Sequence, residues 1–345
     1  MHLRTLFQAS VLLLLTIVTA TAAPKPIVWI YTDMSDGTLK GSEQRGHVND
    51  PDDISAMAGY LLLANEFDTR GIVVSSTHRK EHATTPDQGA WANRFFGDAY
   101  RSEVANLNKI IGGYPADLKF TQSCIKQNSE RYDPAKFYAT LDAHPTVKSL
   151  FDLAVAEPGN ALINILVWGS LTEPAILVNH CLATGRADVL KKLRFIAHWT
   201  NSSLHQGSAE HPENVANCRE DSRACAYMKQ QALARKITYY ECGAIGQHGI
   251  VSGAPKGESY FNQFKVSRLG TIFAEGKFVF NCVDHSDSAS YWVLLGTQGV
   301  RLADIASDGT NPTAVERANE NKFKATSAAL HAELLRRARA ASGQR

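Results

Sequence analysis

Carboxylates gather at two places in this sequence. Asp33 follows the apolar run Ile27-Val28-Trp29-Ile30-Tyr31, and Asp50, Asp52 and Asp53 open a helical pattern carried by Ile54, Met57, Tyr60 and Leu61. One or two acids at a helix start cap free N–H groups and complement the helix dipole. The larger group, which also includes Asp36, goes beyond what capping needs. Without cationic partners such acids repel, and a hard divalent cation with oxygen ligands relieves the repulsion. Calcium or magnesium binding is therefore the chemistry this spacing suggests, against the plainer alternative of an acidic surface loop. A second stretch, Asp284-His285-Ser286-Asp287, follows Phe278-Val279-Phe280 and opens the helical segment Ala289 to Leu295. It either converges on the first group or caps its own helix. His47, His78, His82 and His285 are the histidines placed to protonate a leaving group, a task that suits an unperturbed imidazole with a pKa of about 6.5. Trp168 and Trp199 follow apolar runs, where an indole either stacks on a ring or packs in the core.

Short β-rich apolar runs alternate with longer helical patterns and must position these residues. The run Ile27 to Tyr31 precedes a helix over Asp53 to Asn65, Gly71 to Val74 precedes one over Gln88 to Glu103, and Ala161 to Val167 precedes one over Thr172 to Ala183. A strand at Leu193 to Trp199, a helix at Ser222 to Ala234 and a strand at Ile237 to Tyr240 continue the alternation. This pattern predicts an α/β fold with a mostly parallel central sheet and helices on both faces. Such sheets bind ligands beyond the carboxyl ends of their strands, which is where Asp33 and Trp168 fall. No Pro- or Gly-rich linker divides residues 24–345, so a single domain is expected. The closing helix, Asn321 to Ala340, carries Arg336, Arg337 and Arg339 near its end, which suits its dipole and a solvated face.

Composition narrows the function class. The chain has 345 residues, 36 Lys and Arg against 34 Asp and Glu, and a formal net charge of +2, so no basic stripe speaks for nucleic acid. Residues 1–23 read as a signal peptide: His2 and Arg4, an apolar run Val11 to Val18, then small residues before Pro24. That run is too short to span a bilayer, which takes ~20 residues, so a secreted or periplasmic protein, off the membrane after cleavage, is expected. Of the six cysteines, Cys218 and Cys225 are close enough to close a small loop in an oxidising compartment. The spacing of cysteines and histidines does not favour zinc. Gly243-x-x-Gly246-x-x-Gly249 lacks both the P-loop lysine and the dinucleotide fingerprint.

Asp33 after the first strand, Asp52-Asp53 at the first helix, Trp168-Gly169-Ser170-Leu171-Thr172 after a buried strand, Asn217 with Asp221 and the late Asp287 form an ordered set. It resembles the nucleoside hydrolase superfamily, nearest to its exported, cellulose-binding branch. The resemblance implies a calcium ion held by Asp33, Asp53, the Trp168 carbonyl and Asp287, with Asp52 and Asn217 on the ribose hydroxyls. It further implies hydrolysis of the N-glycosidic bond of a ribonucleoside or related riboside, with Asp33 helping to deprotonate the attacking water. The partner would be a small nucleoside or sugar, and a homo-oligomer is compatible with this reading. The chain departs from the family pattern at several points. Tyr31 replaces the first Asp of the usual turn, and an insertion from Met34 to Pro51 separates Asp33 from Asp52, so Asp36 or Asp50 competes for the place of Asp33. Ser76-Thr77-His78 stands where the family has Asn, and Ser286 where it often has His. Two other readings stay open: a carbohydrate-binding protein without catalysis, and a glycosidase using Asp52 and Asp287 as paired carboxylates.

Overall fold

A computed structural model describes residues 24–39, 50–76, 86–207, 211 and 214–344. The signal-peptide reading and three of the candidate acids, His47, His78 and His82, lie outside the described residues. Six strands, β1 (Ile27–Thr32), β2 (Asp68–Val74), β3 (Phe120–Gln122), β4 (Ile163–Val167), β5 (Leu193–Ala197) and β6 (Thr238–Glu241), form one sheet in the order β3-β2-β1-β4-β5-β6. Every pairing in it is parallel. A two-stranded antiparallel ribbon, β7 (Phe278–Val279) and β8 (Cys282–Val283), stands apart. Its turn residues Phe280 and Asn281 both have positive φ, at 54° and 59°, the conformation that matches a tight hairpin to strand twist.

The helices are α1 (Pro51–Leu62), α2 (Gln88–Ala92), α3 (Asp98–Ile110), α4 (Pro145–Ala156), α5 (Thr172–Ala183), α6 (Ala187–Leu190), α7 (Ser222–Leu233), α8 (Glu258–Phe261), α9 (Arg268–Ala274), α10 (Ser288–Leu295) and α11 (Thr313–Ala341). They cover both faces, as expected. Alternate residues of β1 show how: Val28 and Ile30 enter the core beneath α1, α3, α9 and α11, whereas Trp29 and Tyr31 enter the opposite core beneath α4, α5 and α7. Near-continuous burial of β1, β4 and β5 is what a strand covered on both faces requires.

Element boundaries move for local reasons. The strand expected to reach Trp199 stops at Ala197, because Trp199 has φ +52° and turns the chain out of the sheet. The helix expected from Gln88 to Glu103 passes through a widened, π-helical turn at Asn93–Gly97 and runs on to Ile110. The closing helix starts at Thr313, one residue after Pro312, and its basic end is only partly a solvated face. Arg337 is buried and reaches Glu66 at 2.5 Å, the Leu62 carbonyl at 3.2 Å and the Tyr114 hydroxyl at 2.8 Å. Among the described residues, no helix is long and apolar enough to cross a membrane.

Candidate metal and sugar site

The strand order reverses direction between β1 and β4, and a doubly wound sheet opens its ligand crevice at such a point. Asp33 leaves β1 there, and Trp168-Gly169 leaves β4 beside it, with the Trp168 amide donating to the Tyr31 carbonyl at 2.9 Å. A Cβ on Gly169 would lie 2.6 Å from Cγ of Asp33, so only glycine at this position leaves room for the carboxylate. The segment after β1 is tied to the end of β2: Ser75 N–H donates to the Met34 carbonyl at 3.2 Å and Ser76 N–H to that of Thr32 at 3.0 Å. Helix α1 then starts with Pro51 in its first turn, where a missing N–H costs nothing. Its first turn places Asp53 so that the Thr32 hydroxyl donates to it.

Asp33, Asp50 and Asp53 bring carboxylate oxygens within 4.8 Å of one another. Asp36 turns away and accepts from the backbone and hydroxyl of Thr38 at 2.9 and 2.7 Å, so of the two competitors it is Asp50 that joins the group. Asp287, from the turn before α10, lies beside them, buried and hydrogen-bonded to Nδ1 of His198 at 2.7 Å. Asp52 accepts from the Ser286 hydroxyl at 2.9 Å. Asp284 accepts from the Gln247 amide at 3.0 Å and lies 3.6 Å from the Lys277 ammonium. The two acidic stretches of the sequence thus meet at one sheet edge.

Burial pushes the Asp53 and Asp50 carboxyls well above the usual range, and their acidic neighbours push them further. Burial and Asp52 raise Asp284 to about 7, against the opposing Lys277. Asp52 ends low, because the Asp50 hydrogen bond, Lys277 and the Ser286 hydroxyl together outweigh its burial. His198 loses charge stability through burial but regains more from Asp287, so its pKa rises, while burial and Asp52 leave Asp287 itself raised despite His198. A buried group of carboxylates that drive each other toward the neutral form is the environment a hard cation would relieve, and the all-oxygen donor set fits calcium or magnesium.

Other expected residues have different surroundings. The Trp168 indole is core, donating to the Ser290 hydroxyl at 2.7 Å. Its carbonyl accepts the Asn217 amide at 2.8 Å, which leaves one lone pair at the sheet edge. The Asn217 amide also donates to the His198 carbonyl at 2.8 Å, so only its Oδ1 remains for a sugar hydroxyl. Asp221 is away from the edge, capping α7 through Ala224 and accepting from Thr172 at 2.7 Å and Tyr132 N–H at 2.8 Å.

His285 is a core residue rather than an acid at the edge. The chain of donors settles its tautomer: His331 Nδ1–H donates to the Ser327 carbonyl at 2.8 Å, leaving Nε2 to accept from His285 Nε2–H at 3.0 Å, and the Ser288 hydroxyl donates to His285 Nδ1 at 3.0 Å. Both rings are held neutral. Sequence reading missed His198, Lys277 and Gln247. Of these only His198 carried a signal, as the first polar residue after β5.

Residues 46–211 match the family described as cellulose-binding Sde182, nucleoside hydrolase-like domain. This chain carries a nucleoside hydrolase-like segment. Its fold is shared with a nucleoside hydrolase-related hypothetical protein from Saccharophagus degradans that is associated with carbohydrate metabolism, at 14% identity and a TM-score of 0.61, over 92% of this chain and 72% of that one. Looser likenesses are to the type III effector protein XopQ complexed with adenosine diphosphate ribose, at 12% identity, TM-score 0.49, over 89% of this chain and 95% of that one. An inosine-uridine preferring nucleoside hydrolase from Bacillus anthracis follows at 14% identity, TM-score 0.44, over 78% and 81%. No curated protein matches the chain. For a nucleoside hydrolase-like domain, the expected α/β class and parallel sheet are the ones found.

Proposed function

We propose that this protein is a calcium-dependent hydrolase of N-glycosidic bonds in ribonucleosides or related ribosides, acting as an exported protein. The observation that carries this reading is the convergence of Asp33, Asp50 and Asp53 at the switch point of the sheet, with Asp52 and Asp287 alongside. Asp33, Asp53, Asp287 and the Trp168 carbonyl would hold the cation, with Asp50 added to the expected set. When bound, a divalent cation supplies a fixed positive charge that keeps these carboxylates ionised and polarises the oxygens around it.

The chain's own residues would do the rest. Asp52, ionised and steadied by Ser286, accepts hydrogen bonds from the sugar diol, and Asn217 Oδ1 accepts from a further hydroxyl. Asp33 takes the proton of a water attacking the anomeric carbon. The C–N bond breaks with its electron pair leaving on the base nitrogen, and the oxocarbenium charge that develops faces the surrounding carboxylates. His198 holds Asp287 in place through the 2.7 Å hydrogen bond.

A second reading is favoured by Asn217, whose amide is committed to two backbone carbonyls, and by the matched family's cellulose-binding description. In it, the same crevice binds a carbohydrate without cleaving it. Release of free sugar from a panel of purine and pyrimidine ribonucleosides, with calcium and after chelation, separates the two. Calcium-dependent release that falls at least about a thousandfold in Asp33→Asn supports hydrolysis. A folded, calcium-loaded protein that releases no sugar but binds oligosaccharide saturably supports the second reading.

A further inference from the structure

Away from the Asp33 edge, the described residues bring together one other set of metal-competent side chains. His205 Nε2 and carboxylate oxygens of Glu316 and Glu320 lie within 4.8 Å of one another. We propose that these three side chains form a second cation site, of the zinc type, where the turn Ser202–Gly207 packs on the first turns of α11.

The donors are built into the fold. Glu316 and Glu320 are one turn apart on α11, so their side chains share a face of the helix, and both are buried. His205 projects from a turn closed by hydrogen bonds between Ser202 and Gly207 at 3.1 and 2.8 Å. His248 stacks on the His205 ring, centroids 3.6 Å apart and planes within 7°, which fixes the ring plane. Glu316 is oriented by three donors: the Ser202 hydroxyl at 2.7 Å and the Ala244 N–H at 2.8 Å on Oε1, and the Asn311 amide at 2.9 Å on Oε2. A carboxylate oxygen has two lone pairs, so Oε2 keeps one. Outer hydrogen bonds of this kind orient the ligands of metal sites.

Two further observations point to a ligand. Two buried carboxylates share a single imidazole, His205, which is bonded to Glu320. Asn201 offers its main-chain carbonyl to the same Asn311 amide that holds Glu316. Its side-chain Oδ1 is buried and has no hydrogen-bond partner among the described residues. The donor chemistry separates this site from the Asp33 edge. One imidazole nitrogen with two carboxylates suits zinc or a neighbouring transition ion, whereas calcium takes six or more oxygens. The His205 side chain is 22% exposed, so an ion can enter and a water can complete its coordination.

The test titrates untagged, full-length protein, first saturated with calcium to fill the Asp33 edge, with Zn2+ alone by calorimetry. The proposal expects one zinc per chain in the wild type and in Asp33→Asn, and binding at least about tenfold weaker in His205→Ala and in Glu320→Gln. It also expects zinc to raise the thermal midpoint of the wild type but not of those two variants. His205→Gln, a change on an exposed turn, decides the matter should Glu320→Gln not fold. No zinc uptake by the calcium-loaded wild type overturns the proposal, as does equal uptake by the His205 variants. So does loss of thermal stability in His205→Ala that is the same with and without zinc, which would mark His205 as an ion-pair partner of Glu320 only.

Discussion

At Asp53, burial and charge act in the same direction, and this decides what its replacement does. Its folded pKa is raised, so the folded protein binds a proton the unfolded chain has already lost, and stability falls as pH rises from about 4 through the raised value. At neutral pH without divalent cation the carboxylate therefore opposes folding. Asp53→Asn is expected to raise the thermal midpoint in chelator and to erase most of the gain that calcium gives the wild type; scanning calorimetry with calcium and with chelator checks both. Gly169 makes the complementary point about space. Gly169→Ala puts a methyl 2.6 Å from Cγ of Asp33 and must displace that carboxylate. We expect a folded protein whose calcium affinity drops by about tenfold or more, one lost ligand contact being worth over 1.4 kcal/mol, as measured by calorimetric titration. His285 and His331 show a pH effect of the opposite sign. Burial lowers His331 to about 4, and the donor chain from Ser288 to Ser327 leaves its accepting nitrogen no room for a second proton. The unfolded chain binds that proton from about pH 6.5 downward, so stability is whole above 6.5 and lost as pH falls toward 4, by roughly 3 kcal/mol. Urea unfolding in saturating calcium should show that slope for the wild type and a flatter one for His331→Asn.

Among the elements, α11 is the one that sequence patterning described least well. Its basic C-terminal turn reads as solvent-facing, and Arg336 is indeed half exposed. Arg337, one position on, faces inward and ties α11 to the end of α1 and the turn after it through Leu62, Asn65 and Glu66. Removing one side of a buried hydrogen-bonded charge leaves its partners unsatisfied. Arg337→Ala should cost about 3 kcal/mol in urea unfolding, and Glu333→Gln, which leaves Arg337 its bonds to Glu66, Leu62 and Tyr114, less than about 1 kcal/mol. The turn between β5 and α7 is the other element with a structural fastening. Cys218 and Cys225 form a disulfide, the pair that proximity in sequence favoured, and it clamps the segment that begins with Asn217 and includes Asp221. Cys124, Cys181, Cys242 and Cys282 are free thiols, three of them buried in the cores they help to pack.

Across the whole molecule, the placement of the site follows from the order of the strands. The sheet runs outward in two directions from β1 and β4, and the crevice opens where those directions diverge. Acidic residues separated by up to 254 positions, Asp33 to Asp287, meet there because α10 and the β7–β8 ribbon fold back over that edge. The sequence by itself determined the α/β class, the parallel strands and the presence of two acidic stretches. Those are local properties: burial on both faces writes uninterrupted apolar runs, and strand ends and helix starts write polar residues beside them. The short β3 at Phe120–Gln122 was not legible, since three residues leave no period to read. Tertiary structure alone decided that Asp50 rather than Asp36 joins Asp33, that His198 holds Asp287, that Asn217 serves the backbone, and that His285 is core. Each of these depends on which side chains from distant segments share a low-dielectric space, and neither hydrophobic period nor residue spacing carries that information.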